Sequence, residues 1–184
     1  MRVLEMSSIE CCEVTLIKPV GEGLRVCIDF IDALSPREGV MVGNTGHGYI
    51  MVLSENVSTE TYPARPFRVN AGAIHQYLLL QGGKTCYLSE LNAGDNVPVF
   101  SVDKERPISV GRIKIERREL LRIECKVSDK ILSSTMQASD SVHFFCEDKT
   151  VDVISLNVGD KIACCIDNPG RHLGERRNEY IDEK

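Results

Sequence analysis

The sequence has no excess of positive charge, no long apolar run and no C-x-x-C pair, and each absence removes a class of function. With 22 basic against 27 acidic residues the formal charge is -5, which gives no electrostatic case for a nucleic-acid partner. No run is apolar for long enough to span a bilayer. The opening MRVLEMSSIECCEV carries neither the apolar core nor the cleavage site of a signal peptide. A soluble cytoplasmic protein without a membrane partner is therefore expected. The eight cysteines, at positions 11, 12, 27, 86, 125, 146, 164 and 165, lack the spacing of a zinc knuckle. Most lie in alternating runs such as RVCIDF and RIECKV, where cysteine acts as a small buried hydrophobe. Free core thiols in a reducing compartment are the expectation. No Ser-His-Asp or Cys-His order stands out, so nucleophilic hydrolysis has no support. The glycines of VGNTGHGY follow neither the dinucleotide-binding nor the phosphate-loop spacing. Tryptophan is absent and other aromatics are few. No linker rich in proline, glycine or serine divides the 184 residues, so a single domain spanning 1–184 is expected.

What the chain does contain is a succession of short β-branched and apolar runs, among them CEVTLIK, GLRVCIDF, GYIMVLSE, ISVGRIKIE, LLRIECKV and KIACCID. Between them lie QGGK, NAGD, VSDK and NVGD, which are turn material. Only DALSPRE and GERRNEY have helical character. The fold class expected is all-β, with barrel-like modules and few short helices. An internal duplication is also expected. In residues 64–103 and 131–167 an amide followed by alanine (Asn70, Gln137) leads to an apolar-His-x-aromatic strand start and then to a Leu-Asn-x-Gly-Asp turn.

The richest stretch is ARPFRVNAGAIHQY. Arg65 and Arg68 offer planar forks of donors to a carboxylate or phosphate. Asn70 tolerates a left-handed backbone, Gly72 permits close approach of a ligand, and His75 can carry a proton or bind a metal near neutral pH. His75 and His172 with Glu55 match a two-histidine, one-carboxylate metal set. In KIERR, alternation puts Lys114, Glu116 and Arg118 on one face, which would extend the anion surface begun by the arginine pair. His143, among aromatic neighbours, reads as structural.

These motifs, taken in order (ARPFRVNAG, GGKTCYLSEL, VGRIKIERR, MQAS, LNVGDKI and GRHLGERRNEYIDEK), resemble the C-terminal half of the archaeal-type 3-dehydroquinate synthase (3-dehydroquinate synthase II) family. A related branch makes 3-amino-4-hydroxybenzoate. The resemblance implies an enzyme of aromatic biosynthesis, in the shikimate pathway, that cyclises or eliminates on a seven-carbon polar amino-keto acid or its phosphate. It implies NAD in one branch and a divalent cation, Mg²⁺ or Mn²⁺, in the other. Glu55, His75, His172 and Lys114 are the expected catalytic groups. Arg65, Arg68, Asn70, Lys84, Glu116, Arg118, Gln137, Arg171 and His47 are the expected substrate contacts, with Lys84 and Lys114 also the candidates for an imine. The family's longer N-terminal portion has no counterpart here, and Asn44-Thr45-Gly46-His47-Gly48 stands where the family usually carries an arginine. The alternative is a non-catalytic metabolite-binding module, homo-oligomeric or completed by a separately encoded partner subunit.

Overall fold

The computed structural model describes residues 9–168, 171–172, 175–176 and 180–184, with side chains at 171, 172, 175 and 176 outside that description. The apolar runs become strands β1 (Ile9–Phe30), β2 (Gly39–Gly43), β3 (Gly48–Leu53), β4 (Arg68–Ala73), β5 (Tyr77–Leu79), β6 (Thr85–Tyr87) and β7 (Asn96–Phe100). They continue with β8 (Glu105–Val127), β9 (Lys130–Gln137), β10 (His143–Cys146), β11 (Lys149–Asp152), β12 (Lys161–Ile166), β13 (Arg171–His172) and β14 (Glu175–Arg176). Among the described residues, helical structure is confined to two 3-10 turns, Gln81–Gly83 and Leu88–Glu90. The fold is all-β.

Two long strands form the spine. β1 and β8 pair antiparallel from Glu13↔Lys126 to Phe30↔Val110. The turn-like Pro19-Val20-Gly21 does not break β1, because the register shifts there and Gly21 takes φ +100. A bulge admits an extra residue while the ladder continues, and glycine takes that φ without steric cost. β12 flanks the start of β1, β3 flanks β12, and β2 pairs with both β3 and β7, which leads back to β8. The path β3–β12–β1–β8–β7–β2 thus closes on itself as a barrel. Its interior is aliphatic, with Val14, Val26, Ile28, Val42, Ile50, Val99, Ile123 and Ile162 essentially inaccessible. Each such side chain contributes about 1.5–3 kcal/mol by leaving water.

β4 and β9 lie off this ring, beside the ends of β1 and β8 respectively. They approach each other at Gly72, where a Cβ would stand 2.2 Å from the Thr135 carbonyl oxygen and φ is +87. The glycine therefore admits another strand's backbone rather than a ligand. DALSPRE forms bends and a turn instead of a helix. Asn56 Nδ2 donates to the Leu34 carbonyl and Ser54 Oγ to that of Ser35, which takes the acceptors a helix needs. GERRNEY lies largely outside the described residues. The segments 64–103 and 131–167 carry β4–β7 and β9–β12.

The cysteine expectation is corrected in part. Cys11 on β1 and Cys146 on β10 form a disulfide across 135 residues of sequence, while the other six are thiols. In the pair Cys11-Cys12, strand alternation sends Cys12 into the core and leaves Cys11 on the opposite face, within reach of β10. No helix among the described residues is long and apolar enough to cross a membrane.

Candidate functional site

The end of β1 reads Arg25-Val26-Cys27-Ile28-Asp29-Phe30. Alternation sends Val26, Ile28 and Phe30 into the barrel core and Arg25, Cys27 and Asp29 to the other face, yet that face is buried too. β4 and β8 cover its two edges, since Asp29 pairs with Arg68 and Arg112, and Cys27 with Asn70 and Lys114. The register therefore collects charged residues from three strands on one surface.

Three carboxylates organise it. Asp29, 3% exposed, accepts from Arg68 Nε at 2.7 Å and Arg68 Nη2 at 3.1 Å, and from Arg112 Nε at 2.8 Å. Burial works to raise the Asp29 carboxyl, but the hydrogen bonds from Arg68 and Arg112 outweigh it and hold the group below its ordinary value. Glu116 meets Arg25 Nη2 at 2.8 Å, Arg118 Nη2 at 2.9 Å and Lys114 Nζ at 3.6 Å. Glu55, 2% exposed, lies 2.6 Å from Arg65 Nη2. Its burial raises the carboxyl above the ordinary value against the pull of Arg65, Arg68 and Arg25. Two amides tie the groups together: Asn70 Nδ2 and Arg25 Nη1 both donate to Gln137 Oε1. At the centre, burial pushes the Cys27 thiol up to about 11, so it stays protonated.

Six cations thus face three carboxylates, in a chain whose net charge is -5. Among the described residues, the buried side-chain atoms without a hydrogen-bond partner are Arg25 Nε, Arg65 Nε, Asn70 Oδ1, Glu55 Oε1 and Ser134 Oγ. All but the last belong to this face. An unmet buried polar atom costs about 1–3 kcal/mol, so such groups are kept where something else uses them. Glu55 Oε1 is the atom that lies 2.6 Å from Arg65 Nη2, which leaves two unmet donors and one unmet acceptor, Asn70 Oδ1, to hold an oxyanion together with a hydroxyl or amine hydrogen.

The structure thus brings together Arg65, Arg68, Asn70, Glu55, Lys114, Glu116, Arg118 and Gln137, and adds Arg25, Asp29 and Arg112, which the sequence analysis did not single out. Their signal was present in RVCIDF and GRIKIE as charged residues alternating with core residues. His75 lies elsewhere. Its Nε2 meets Asn44 Oδ1 at 2.8 Å, and the ring is drawn below its ordinary pKa by burial and then by Arg122. Glu55 and His75 therefore do not share a site. His172 and Arg171 have side chains outside the described residues. His47 Nδ1 bonds Thr45 Oγ1 at 2.8 Å in loop 44–47, and Lys84 is exposed just before β6. His143 Nδ1 donates to the Ser141 carbonyl at 3.1 Å. Among the described residues, no three His, Cys, Asp or Glu side chains come together as a metal site.

Comparison with known proteins places the chain. The family model described as "3-dehydroquinate synthase II C-terminal domain" matches residues 11–184. A 3-dehydroquinate synthase of Methanoculleus marisnigri is 45% identical over 174 residues, covering 94% of this chain and 53% of the relative. One from Methanosarcina acetivorans is 40% identical, covering 98% and 48%. A 3-dehydroquinate synthase homolog of Persephonella marina is 41% identical, covering 94% and 53%. The chain thus spans about half the length of the curated relatives it matches. No solved structure matches it. The chain belongs to the 3-dehydroquinate synthase II family, whose C-terminal domain it matches.

Proposed function

We propose that the face formed by β4, β1 and β8 binds a small polar amino-keto acid or its phosphate. On this reading the chain acts as a 3-dehydroquinate synthase II-like enzyme that cyclises its substrate or eliminates from it. The observation that carries this is the concentration of unmet buried donors and acceptors in one basic cluster. Arg25 and Arg65 turn their Nε–H groups to an acid oxygen, and Asn70 Oδ1 accepts from a substrate hydroxyl or amine. Glu55, buried and with its carboxyl raised above the ordinary value, lies against Arg65 and orients that guanidinium towards the ligand. Lys114 and Arg118, on the exposed rim, add charge attraction to the anionic end. The family to which the chain belongs, and the names borne by relatives about twice its length, support this assignment.

The test is a mass-spectrometric screen of the purified chain with the seven-carbon amino-keto acid and its phosphorylated relative, with and without NAD and each cation. Product formation that falls at least about tenfold in Arg25→Met is the expected result. A second reading follows from the half-length match: the chain binds the acid and a partner polypeptide supplies the remaining chemistry. It predicts binding without turnover, and co-elution with that partner when the protein is taken from its source. Neither product nor Arg25-dependent binding under any condition would remove both readings.

A further inference from the structure

Loop 44–47, between β2 and β3, already holds a carboxylate, and it belongs to the chain itself. The Gly46 N–H donates to Glu183 Oε1 at 2.7 Å, and the Tyr77 hydroxyl donates to Glu183 Oε2 at 3.1 Å. One carboxylate thus receives a backbone donor from the loop and a phenolic donor from β5. Neither donor is charged, unlike those on the arginine face. We propose that the Gly46 amide and the Tyr77 hydroxyl form a second, separate binding site for the carboxylate of a small acid, which Glu183 fills in the free chain.

Three further features fit a ligand site. Beside the loop a depression of about 350 Å³, enough for a small molecule, is lined by Thr45, His47 and Glu183 and by the charged Arg122, Glu124, Asp129, Lys130 and Lys184. Of the flanking cations, Arg122 is held by Glu124 at 2.8 Å and Lys130 by the Asp167 carbonyl at 2.9 Å, while Lys184 also lines the depression. Neutral donors in such surroundings favour a singly charged carboxylate over a phosphate. His75 also reaches this loop from two residues before Tyr77, with Gln76 between them turned inward to the Ala71 and Thr135 carbonyls. Asn44 Oδ1 accepts from Thr135 Oγ1 at 2.9 Å, and Asn44 Nδ2 donates to Ser133 Oγ at 3.1 Å. That network assigns the ring proton of His75 to Nε2, facing Asn44, and makes Nδ1 the acceptor. A neutral histidine oriented by an amide thus stands on the same loop as the carboxylate donors.

Sodium acetate is the probe, and the readout is the amide resonance of Gly46 in a two-dimensional ¹H–¹⁵N spectrum of the full chain at constant ionic strength. The tethered carboxylate competes at an effective concentration of the millimolar order or above. In Glu183→Ala the acetate concentration that half-shifts Gly46 should therefore fall about tenfold or more relative to wild type. Adding Tyr77→Phe to that variant should reverse the gain, with the melting temperature recorded to confirm folding. If Glu183→Ala binds acetate no more readily than wild type, Glu183 is a structural anchor and the proposal is wrong. Shifts at Asn70 with none at Gly46 would also overturn it, because acetate would then be choosing the arginine face. The titration does not depend on turnover or on Arg25, so it stands or falls apart from the proposed function.

Discussion

Asp29→Asn is the sharpest test of how the basic face is held. The Asp29 carboxylate is almost inaccessible and receives three guanidinium hydrogen bonds, two from Arg68 and one from Arg112. The amide keeps one oxygen but turns an N–H₂ towards a cation, leaving the charge of Arg68 buried without a counter-ion. Removing one partner of a buried pair costs about 3–5 kcal/mol. For a chain of this size that corresponds to a fall in melting temperature of roughly 6–20 °C. Asp32→Asn is the control, because its contact with Arg106 is 3.5 Å long and exposed, where a loss below about 1 kcal/mol is expected. The assay is urea unfolding of wild type and both variants between pH 3 and 7. Because the folded pKa of Asp29 lies below its unfolded value, its stabilisation is present above the unfolded value of about 3.9. It disappears as pH falls through the folded value. The difference between wild type and Asp29→Asn should therefore be full at pH 6–7 and shrink below about pH 4. A difference under about 1 kcal/mol at neutral pH, or one that ignores pH, would refute the account of Asp29 as the anchor.

Glu55 should behave in the opposite sense. Its folded pKa is raised above the ordinary 4.5, so wild type should lose stability relative to Glu55→Gln as pH rises above that value, which the same urea series would record. Gly72→Ala places a methyl 2.2 Å from the Thr135 carbonyl at a positive φ. A loss of about 2 kcal/mol or more is expected in thermal unfolding, with shifted amide resonances at both Asn70 and Gln137. Cys11→Ser opens a link that closes 135 residues, worth up to about 5 kcal/mol in the chain-entropy picture. A thiol titration of the unreduced, denatured wild type should find six groups per chain, and eight would mean that the bond is absent. His75→Ala removes an exposed ring that lies away from the arginine face and should leave both the melting temperature and turnover little changed; loss of turnover in a folded variant would bring His75 back into the chemistry.

The sequence makes the β class legible because alternation and turn chemistry are local. Continuity of the spine is not local. Lys18-Pro19-Val20-Gly21 looks like a turn until Leu120 and Leu121 of β8 are known to lie opposite, where a bulge absorbs the extra residue. The disulfide was hidden for a similar reason, since its partners come together only through the pairing of β12 with β1 and the packing of β10 beside them. In the site, Arg65, Arg68, Asn70, Lys114 and Arg118 stood out because they are concentrated in two short motifs. Arg25 and Asp29 escaped notice because a strand with core residues on one face suggests solvent on the other. Here β4 and β8 flank β1 on both edges, and charge ends up buried. The separation of His75 from Glu55 shows in the bond of His75 to Asn44 on loop 44–47, which no spacing in the sequence records.

Arg65 and Arg68 look interchangeable in the sequence, yet the fold assigns them different work, and donor accounting separates them. Arg68 has its Nε and one terminal nitrogen committed to Asp29. Arg65 keeps its Nε unmet, with Nη2 against Glu55. Arg25 has both terminal nitrogens engaged, by Gln137 and Glu116, and its Nε unmet. A guanidinium whose fork is saturated by a buried carboxylate holds strands together, whereas one with an unmet buried Nε–H has something left to offer a ligand. Lysine in place of arginine keeps the charge and removes the fork. Arg68→Lys should therefore lower stability first, with ligand affinity per folded molecule changed little. Arg25→Lys and Arg65→Lys should lower affinity for the acid about tenfold, the worth of one charge-assisted hydrogen bond, at a smaller cost in melting temperature. Isothermal titration beside thermal unfolding resolves the two effects. If Arg68→Lys costs more affinity than Arg25→Lys at equal folded fraction, the unmet nitrogens are not where the ligand binds.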